Sequence, residues 1–497
     1  MKKISIYFLL LCSGLSSYTK AQSCKEIIGY YPNWQWYDRA KLVNPNSIQY
    51  GKYSIINYCF FKPESSGLIS NTDTWADENL LQGQINWSTT PVSYYPNTSI
   101  IDKAHQAGTK VLVSIGGWTL SDNFPGIAAN ATKRATFAAE CNRLLSFYNF
   151  DGIDIDWEYP GFAEHSGTPA DKQNFTILLQ QVKDSITALG NRNGKQYLLS
   201  ACFAADPVKA QDIEWSNIVP ILDMINLMSY DLFGAWDCAA NHNSPLYAPA
   251  SGNSQFNLNS AFQLLTTTYA VPSNKINIGL AFYGRSQQGA STLYQATNCT
   301  ANTTLFYEDD GTPLYYNIQK NIQLFNYYWD SNAQVSYLLG KPSTSAAGTF
   351  VSYDDKISIG KKAQYAIDNN ARGAIIWEIT GDYLETAPGS GIVASTPLID
   401  TVNTIFCNTV TSVEQTSAKN DLFIYPNPSD GNFHLIFPAS TGGFQQRILI
   451  HTVDGKKVKE LHSNGQEILQ LSLSEKGIYF IIIYSGDEVK TQKLIVQ

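Results

Sequence analysis

Positive charge is scarce in this 497-residue chain and nowhere concentrated: 34 Lys and Arg stand against 42 Asp and Glu, a formal net charge of −8. Without a basic stripe nothing is offered to a nucleic-acid backbone, and that class of partner is excluded. Histidine is sparse too. The 6 that occur are scattered without ligand spacing, so neither a metal nor another cofactor is expected. Long apolar runs are also missing. The stretch from Ile4 to about Leu15 is too short to cross a bilayer, and no later segment is long enough, so no transmembrane span is expected. That early stretch follows Lys2 and Lys3 and precedes Thr19-Lys20-Ala21, whose small residues suit cleavage after Ala21. Residues 1–21 therefore read as a signal peptide, with export to the periplasm and a soluble mature chain beginning near Gln22. Cys24 lacks the small and apolar residues that lipid attachment requires just before it.

Of 8 cysteines, Cys12 lies in the leader. An odd number remains in an exported chain, so at least one thiol stays reduced. Cys59, Cys141 and Cys202 sit inside apolar periodic segments and read as small core residues, which leaves Cys24, Cys238, Cys299 and Cys407 as bridge candidates. Aromatic residues, by contrast, are abundant at 13%, with 30 Tyr and 10 Trp. Sugar rings stack their apolar faces on such planes, so this composition suits a carbohydrate.

The most informative stretch is Asp151-Gly152-Ile153-Asp154-Ile155-Asp156-Trp157-Glu158. On a strand, side chains alternate, so Asp154, Asp156 and Glu158 share one face while Ile153, Ile155 and Trp157 take the other. Three acids along one wall of a buried strand repel one another if all are ionised, so at least one holds its proton near neutral pH. A proton held this way can be donated to a leaving oxygen, which is the chemistry of glycosidic cleavage.

Eight short apolar runs with strand character recur before residue 400: Ile27–Tyr31, Ile55–Phe61, Val111–Ile115, Gly152–Asp156, Leu198–Phe203, Met224–Met228, Ile276–Phe282 and Ala374–Trp377. Helical patterns lie between them, such as Phe137, Cys141, Leu144, Leu145 and Tyr148, or Phe175, Leu178, Leu179, Val182 and Ile186. The fold class is therefore α/β, a (β/α)8 barrel whose functional residues gather at the C-terminal strand ends. About ninety residues separate the seventh and eighth runs, more than one crossover helix needs. An inserted α+β lobe over roughly residues 287–353 is expected, walling a groove that suits a polymer. The barrel domain is placed at residues 22–408. After Cys407 no tryptophan recurs; residues 409–421 read as a linker and 422–497 as a small β-sandwich of short strands joined by Asp-Gly and Ser-Gly-Asp turns.

From Glu26 to about Cys407 the chain resembles glycoside hydrolase family 18, the chitinase family. The resemblance rests on the Asp151 to Glu158 motif, Ser114-x-Gly116-Gly117, Met228-x-Tyr230-Asp231, Tyr283-Gly284-Arg285 and Trp377. Tyr316-Asn317-Ile318 and Phe350-Val351-Ser352-Tyr353-Asp354-Asp355 resemble pieces of that family's insertion domain. The resemblance implies hydrolysis of β-1,4 linkages in chitin and chito-oligosaccharides, with retention of configuration. Glu158 would be the general acid. Asp156 would orient the N-acetyl group and share the proton of Glu158, Asp154 would hold the charge of the pair from beneath, and Tyr230 would bind the acetamido oxygen that acts as nucleophile. Trp377 would floor the subsite of the distorted sugar, with Tyr30, Phe60, Trp118, Met228, Asp231, Trp236, Tyr283 and Arg285 lining the groove. Two alternatives remain: a non-hydrolytic chitin-binding lectin on the same barrel, and an endo-β-N-acetylglucosaminidase using the same route.

The C-terminal module resembles the sorting domain of type nine secretion in Bacteroidetes, through Tyr425-Pro426-Asn427-Pro428, Gly431-Asn432-Phe433, Asp454-Gly455-Lys456 and the stretch from Gly477 to Val496. The second expected partner is thus the type IX secretion machinery, and the location is extracellular or at the cell surface. A monomer is expected. On a barrel of this family, Cys24 and Cys407 would meet where the chain enters and leaves, and Cys238 and Cys299 would meet on the opposite face.

Overall fold

The computed structural model describes residues 24–407, 423–436, 446–463, 468–485 and 488–497; the leader expected at 1–21 and the linker expected at 409–421 lie outside them. Two compact units divide between Thr409 and Val410, and each is considered by itself.

The first unit is built on eight strands: β1 (Glu26–Pro32), β2 (Ile55–Pro63), β3 (Lys110–Gly116), β4 (Gly152–Asp156), β5 (Leu198–Ala204), β6 (Met224–Met228), β7 (Ile276–Ala281) and β8 (Gly373–Trp377). All eight pair in parallel in sequence order, and the ring closes through β1, which pairs with both β2 and β8. Closure leaves both faces of every strand covered, which is why these segments are almost continuously apolar. Ile28, Ile55, Leu112, Leu198, Met224 and Ile375 pack inside the ring. The outward residues Ile153, Ile155 and Trp157 join the larger core under the helices, where Trp157 stacks on Phe124 at 5.3 Å and meets Phe175 edge-on at 5.4 Å.

Two long helices flank the strand that carries the acids. Ala131–Tyr148 starts at Asn130, whose side chain accepts from the amides of Thr132 and Lys133. Asp171–Asn193 buries Phe175, Leu178, Leu179, Val182 and Ile186 along one stripe and stops at Gly194, where the chain turns left-handed. Between β5 and β6 the expected helix shrinks to the single turn Trp215–Ile218. Pro207 and Pro220 bracket that connection, and neither can continue a helix begun before it.

Between β7 and β8 stands an antiparallel sheet in the order Gly284–Gln288, Thr349–Tyr353, Val335–Gly340, Phe325–Asp330, accompanied by the helix Tyr315–Asn321. It opens at Gly284, so Arg285 stands on this sheet rather than on a barrel strand. Two buried polar contacts tie the lobe to the segment after β6. Lys362 Nζ lies 2.6 Å from Asp354 and 3.0 Å from Ser244 Oγ, and His242 Nε2 lies 2.9 Å from Asp330.

Disulfides join Cys24 to Cys407 and Cys238 to Cys299. Cys59, Cys141 and Cys202 are buried free thiols. Among the described residues no helix is long and apolar enough to cross a membrane, and no cluster of metal-ligating residues occurs.

The second unit has two sheets, one of Phe423–Tyr425, Asn432–Ile436 and Ile468–Ser472, the other in the order Lys457–Ser463, Gln446–Thr452, Gly477–Ser485, Glu488–Val496. Phe433, Leu435 and Leu471 from the first sheet share a core with Ile448, Ile450, Tyr479 and Ile481 from the second.

Candidate active site

The acids of β4 are placed by register. Asp154 is paired with Ser114 on β3 and Ser200 on β5, and all three side chains point into the ring. Its carboxylate is fully buried and accepts from Ser200 Oγ at 2.5 Å, Ser114 Oγ at 2.8 Å, Tyr30 Oη at 2.9 Å and Asn226 Nδ2 at 3.1 Å. Burial pushes its pKa up, and these donors hold it back. The Cys202 thiol lies 3.0 Å from Tyr30 Oη and 3.7 Å from the same carboxylate.

One step up the strand, Asp156 is 4% exposed, and its Oδ1 is buried without a hydrogen-bond partner. Burial and then the neighbouring charges of Glu158 and Asp154 raise its pKa well above the carboxylate range. No side-chain hydrogen bond joins Asp156 to Glu158 among the described residues; the two interact through space. Glu158 stands two residues beyond the end of the strand and is partly exposed at the rim. Its main chain is pinned on both sides: the amide donates to Ser121 Oγ at 2.9 Å, and the carbonyl lies 2.6 Å from His165 Nδ1. Burial and the charge of Asp231 lift its carboxyl to about 7, against opposing effects of Tyr159 and Lys209.

The glycines of Ser114-x-Gly116-Gly117 have a steric reason. A Cβ on Gly116 would stand 2.2 Å from the Asp156 carbonyl oxygen, and one on Gly117 would stand 2.7 Å from the Phe60 ring; both residues also have positive φ. The turn after β3 thus lies directly against the end of β4.

Aromatic residues surround the acids. Trp377, at the end of β8, stacks on Phe60 at 5.7 Å and tilts against Tyr30 at 5.7 Å and Trp34 at 6.4 Å. Met228, which ends β6, and Tyr230 just after it are buried, with the Tyr230 ring 6.1 Å edge-on from Tyr283. Asp231 accepts from Tyr283 Oη at 2.6 Å and pairs with Arg285 at 2.7 Å, and the guanidinium lies 4.9 Å from the Trp236 ring centre. Trp236 is 56% exposed and Trp118 is 51% exposed, the latter resting on His165 at 4.5 Å and Phe162 at 5.9 Å.

The thirteen residues singled out from sequence therefore lie at the C-terminal ends of the barrel strands or on the insertion beside them. Tyr30 stands apart from a groove-lining position: it is 1% exposed and its hydroxyl is committed to Asp154, beneath the surface. Sequence reasoning gave no such role to Ser200 and Cys202 on the neighbouring β5 or to Asn226 on β6, which lie against Asp154 inside the ring, nor to His165 and Ser121, which hold the main chain of Glu158. Inward register on β5 and β6 would have pointed to the first three, since polar residues inside apolar strands need a partner.

Residues 26–382 match the model of Glycosyl hydrolases family 18, and residues 423–497 match that of the Secretion system C-terminal sorting domain. Chitinase A1 of Niallia circulans is 31% identical over 410 residues, covering 74% of this chain and 58% of that protein. Chitinase ChiA of Flavobacterium johnsoniae is 30% identical over 487 residues, covering 82% of this chain and 29% of that one. The chain thus spans little more than half of the first relative and less than a third of the second. Among solved structures, chitinase ChiA74 from Bacillus thuringiensis superposes with a TM-score of 0.66 at 25% identity, over 96% of this chain and 85% of that one. The catalytic domain 2 of the Ostrinia furnacalis Group II chitinase gives 0.66 at 25% identity, over 78% and 97%. A family match over most of the chain coincides with a closed parallel ring and an acid ladder on its fourth strand, and the chain belongs to family 18 of the glycosyl hydrolases.

Proposed function

We propose that the protein is a secreted chitinase that cleaves β-1,4 linkages between N-acetylglucosamine units, with retention of configuration and with the substrate's own acetamido group as nucleophile. The observation that carries this reading is the ladder on β4 and just beyond it: the buried carboxylate of Asp154 is satisfied by hydrogen bonds from Ser200 and Ser114, Asp156 is buried with Oδ1 unpartnered, and Glu158 stands at the rim with its carboxyl raised to about 7. Glu158 protonates the bridging oxygen as the bond breaks. Asp156 has a free oxygen with which to take the N–H of the acetamido group, which turns the acetamido oxygen towards the anomeric carbon. Tyr230, buried beside Asp156, donates to that acetamido oxygen. Asp231, the other carboxylate acting on Glu158, is held by Arg285 and Tyr283 and is therefore a poor nucleophile, which favours the substrate-assisted route.

Trp377 floors the central subsite, Phe60 backs it, and Trp118 and Trp236 offer exposed stacking faces to sugars on either side. Tyr30 acts as a support for Asp154. The C-terminal unit is read as the address for type IX secretion after periplasmic export, with a monomeric enzyme outside the cell. The experiment that tests the chemistry is proton NMR of chitohexaose digests in the first minutes. The β anomer is expected to appear first. Initial release of the α anomer would rule out the acetamido route, and absence of any cleavage would rule out the hydrolytic reading.

A further inference from the structure

Glu158 is fixed by its main chain, and both residues that fix it are tied to one aromatic plane. Its amide donates to Ser121 Oγ, which belongs to the turn Trp118–Asn123 after β3, so the acid and Trp118 share a support. Its carbonyl is reached from the other side by His165, in the turn Ala163–His165 that follows β4. A carbonyl oxygen only accepts, so Nδ1 is the nitrogen that donates there, at 2.6 Å. The same imidazole lies 4.5 Å from the Trp118 ring centre, closer than Phe162 at 5.9 Å or Tyr159 at 6.5 Å.

The loop that presents His165 is closed on itself. The amides of His165 and Gly167 both donate to the Phe162 carbonyl, at 3.1 Å and 2.9 Å, and a Cβ on Gly167 would stand 2.3 Å from the Phe162 nitrogen. Asp171, buried at the start of the helix Asp171–Asn193, accepts from the amides of Gly161 at 3.2 Å and Thr168 at 2.8 Å, which ties both ends of the loop to that helix. Phe162 meets the imidazole edge-on at 5.4 Å. A ring held this way has two separable uses: its N–H orients the peptide that bears the proton donor, and its body backs the indole. Phenylalanine would supply only the second. Asparagine, whose Nδ2 is as many bonds from the backbone as Nδ1 of histidine, would supply only the first.

We propose that His165 is a positioning residue that holds the proton donor and the Trp118 plane in one frame, so that a sugar stacked on Trp118 keeps its glycosidic oxygen within reach of Glu158; this rests on the reading of the barrel mouth given above. Two measurements separate the two uses. The first is kcat/KM for phenyl chitobioside divided by that for dinitrophenyl chitobioside, whose leaving group departs without a proton; sugar contacts and active fraction cancel in this ratio. The second is the dissociation constant for chitohexaose, measured by calorimetry in the Glu158→Gln background. His165→Phe is expected to lower the ratio roughly five-fold with the smaller change in affinity, and His165→Asn to weaken binding roughly five-fold with the smaller change in the ratio. Any other pattern, including equal effects of the two variants on both readings, overturns the proposal. If the wild type cleaves neither chitobioside, the catalytic reading falls separately and affinity decides: weaker binding of chitohexaose in His165→Asn than in His165→Phe upholds the link to Trp118, and equal affinities refute it.

Discussion

Glu158 is a carboxylic acid that must enter the reaction with its proton on, and its surroundings decide over what pH range it does so. Its carboxyl is raised to about 7, first by burial and then by the charge of Asp231. Activity should hold on the acid side and fall as pH rises through about 7, since the deprotonated form has nothing to donate. Asp231→Asn removes the repelling charge and frees the Arg285 guanidinium, so the descending limb of the kcat/KM profile should move to lower pH; a limb that stays in place or rises contradicts this assignment. Asp156→Asn should lower kcat by about 10²-fold or more, because an amide lacks the carboxylate's ability to take up charge and a proton. At this scale the sequence was informative about the acids and silent about their partners. The alternation of acids and isoleucines on β4 is local and can be read directly. The grip of Ser200, Asn226 and Tyr30 on Asp154 spans 46, 72 and 124 residues, and depends on the register of strands brought together by ring closure.

Elements were most legible where apolar runs were strongest. All eight barrel strands fall within two residues of the runs that anticipate them, since a strand covered on both faces leaves a continuous apolar signature. The strand Lys457–Ser463 gave no such signal, being an edge strand dominated by exposed charged residues, a pattern that protects a sheet edge and hides it from periodicity. Buried polar contacts just beyond the insertion lobe were equally silent. The buried pair of Lys362 and Asp354, both 0% exposed, ties the helix Lys356–Asp368 to the segment after β6 through Ser244. Asp354→Ala strands a buried ammonium and should cost about 3–5 kcal/mol of stability, read as a lower denaturation midpoint. Replacing both members with apolar residues of similar volume should cost much less. Equal losses for the single and double changes would show that the pair contributes nothing beyond volume.

At the scale of the whole chain, the disulfide between Cys24 and Cys407 closes a span of 383 residues and joins the start of β1 to the end of the last barrel helix. Cys407→Ser should lower stability by roughly 2–5 kcal/mol, because the unfolded chain regains the freedom that the link removes. Thermal unfolding with and without reductant checks this, and a midpoint insensitive to both the substitution and the reductant would contradict it. The division at Thr409 and the separate match of residues 423–497 to a sorting domain carry a second expectation. A chain ending at Asp421 should retain specific activity while losing export from a host with type IX secretion. Undiminished export of the shortened chain would assign the tail another task.

The central claim, that Glu158 supplies the proton while the rest of the groove supplies affinity, is tested most directly by measuring turnover and binding in one variant. Glu158→Gln keeps the shape and hydrogen-bonding reach of the side chain and removes only its acid. Turnover of a fluorogenic chito-oligosaccharide should fall by at least ~10²–10⁴-fold, with the dissociation constant for chitohexaose, measured by calorimetry, nearly unchanged. Turnover within a few-fold of the wild type would contradict the account.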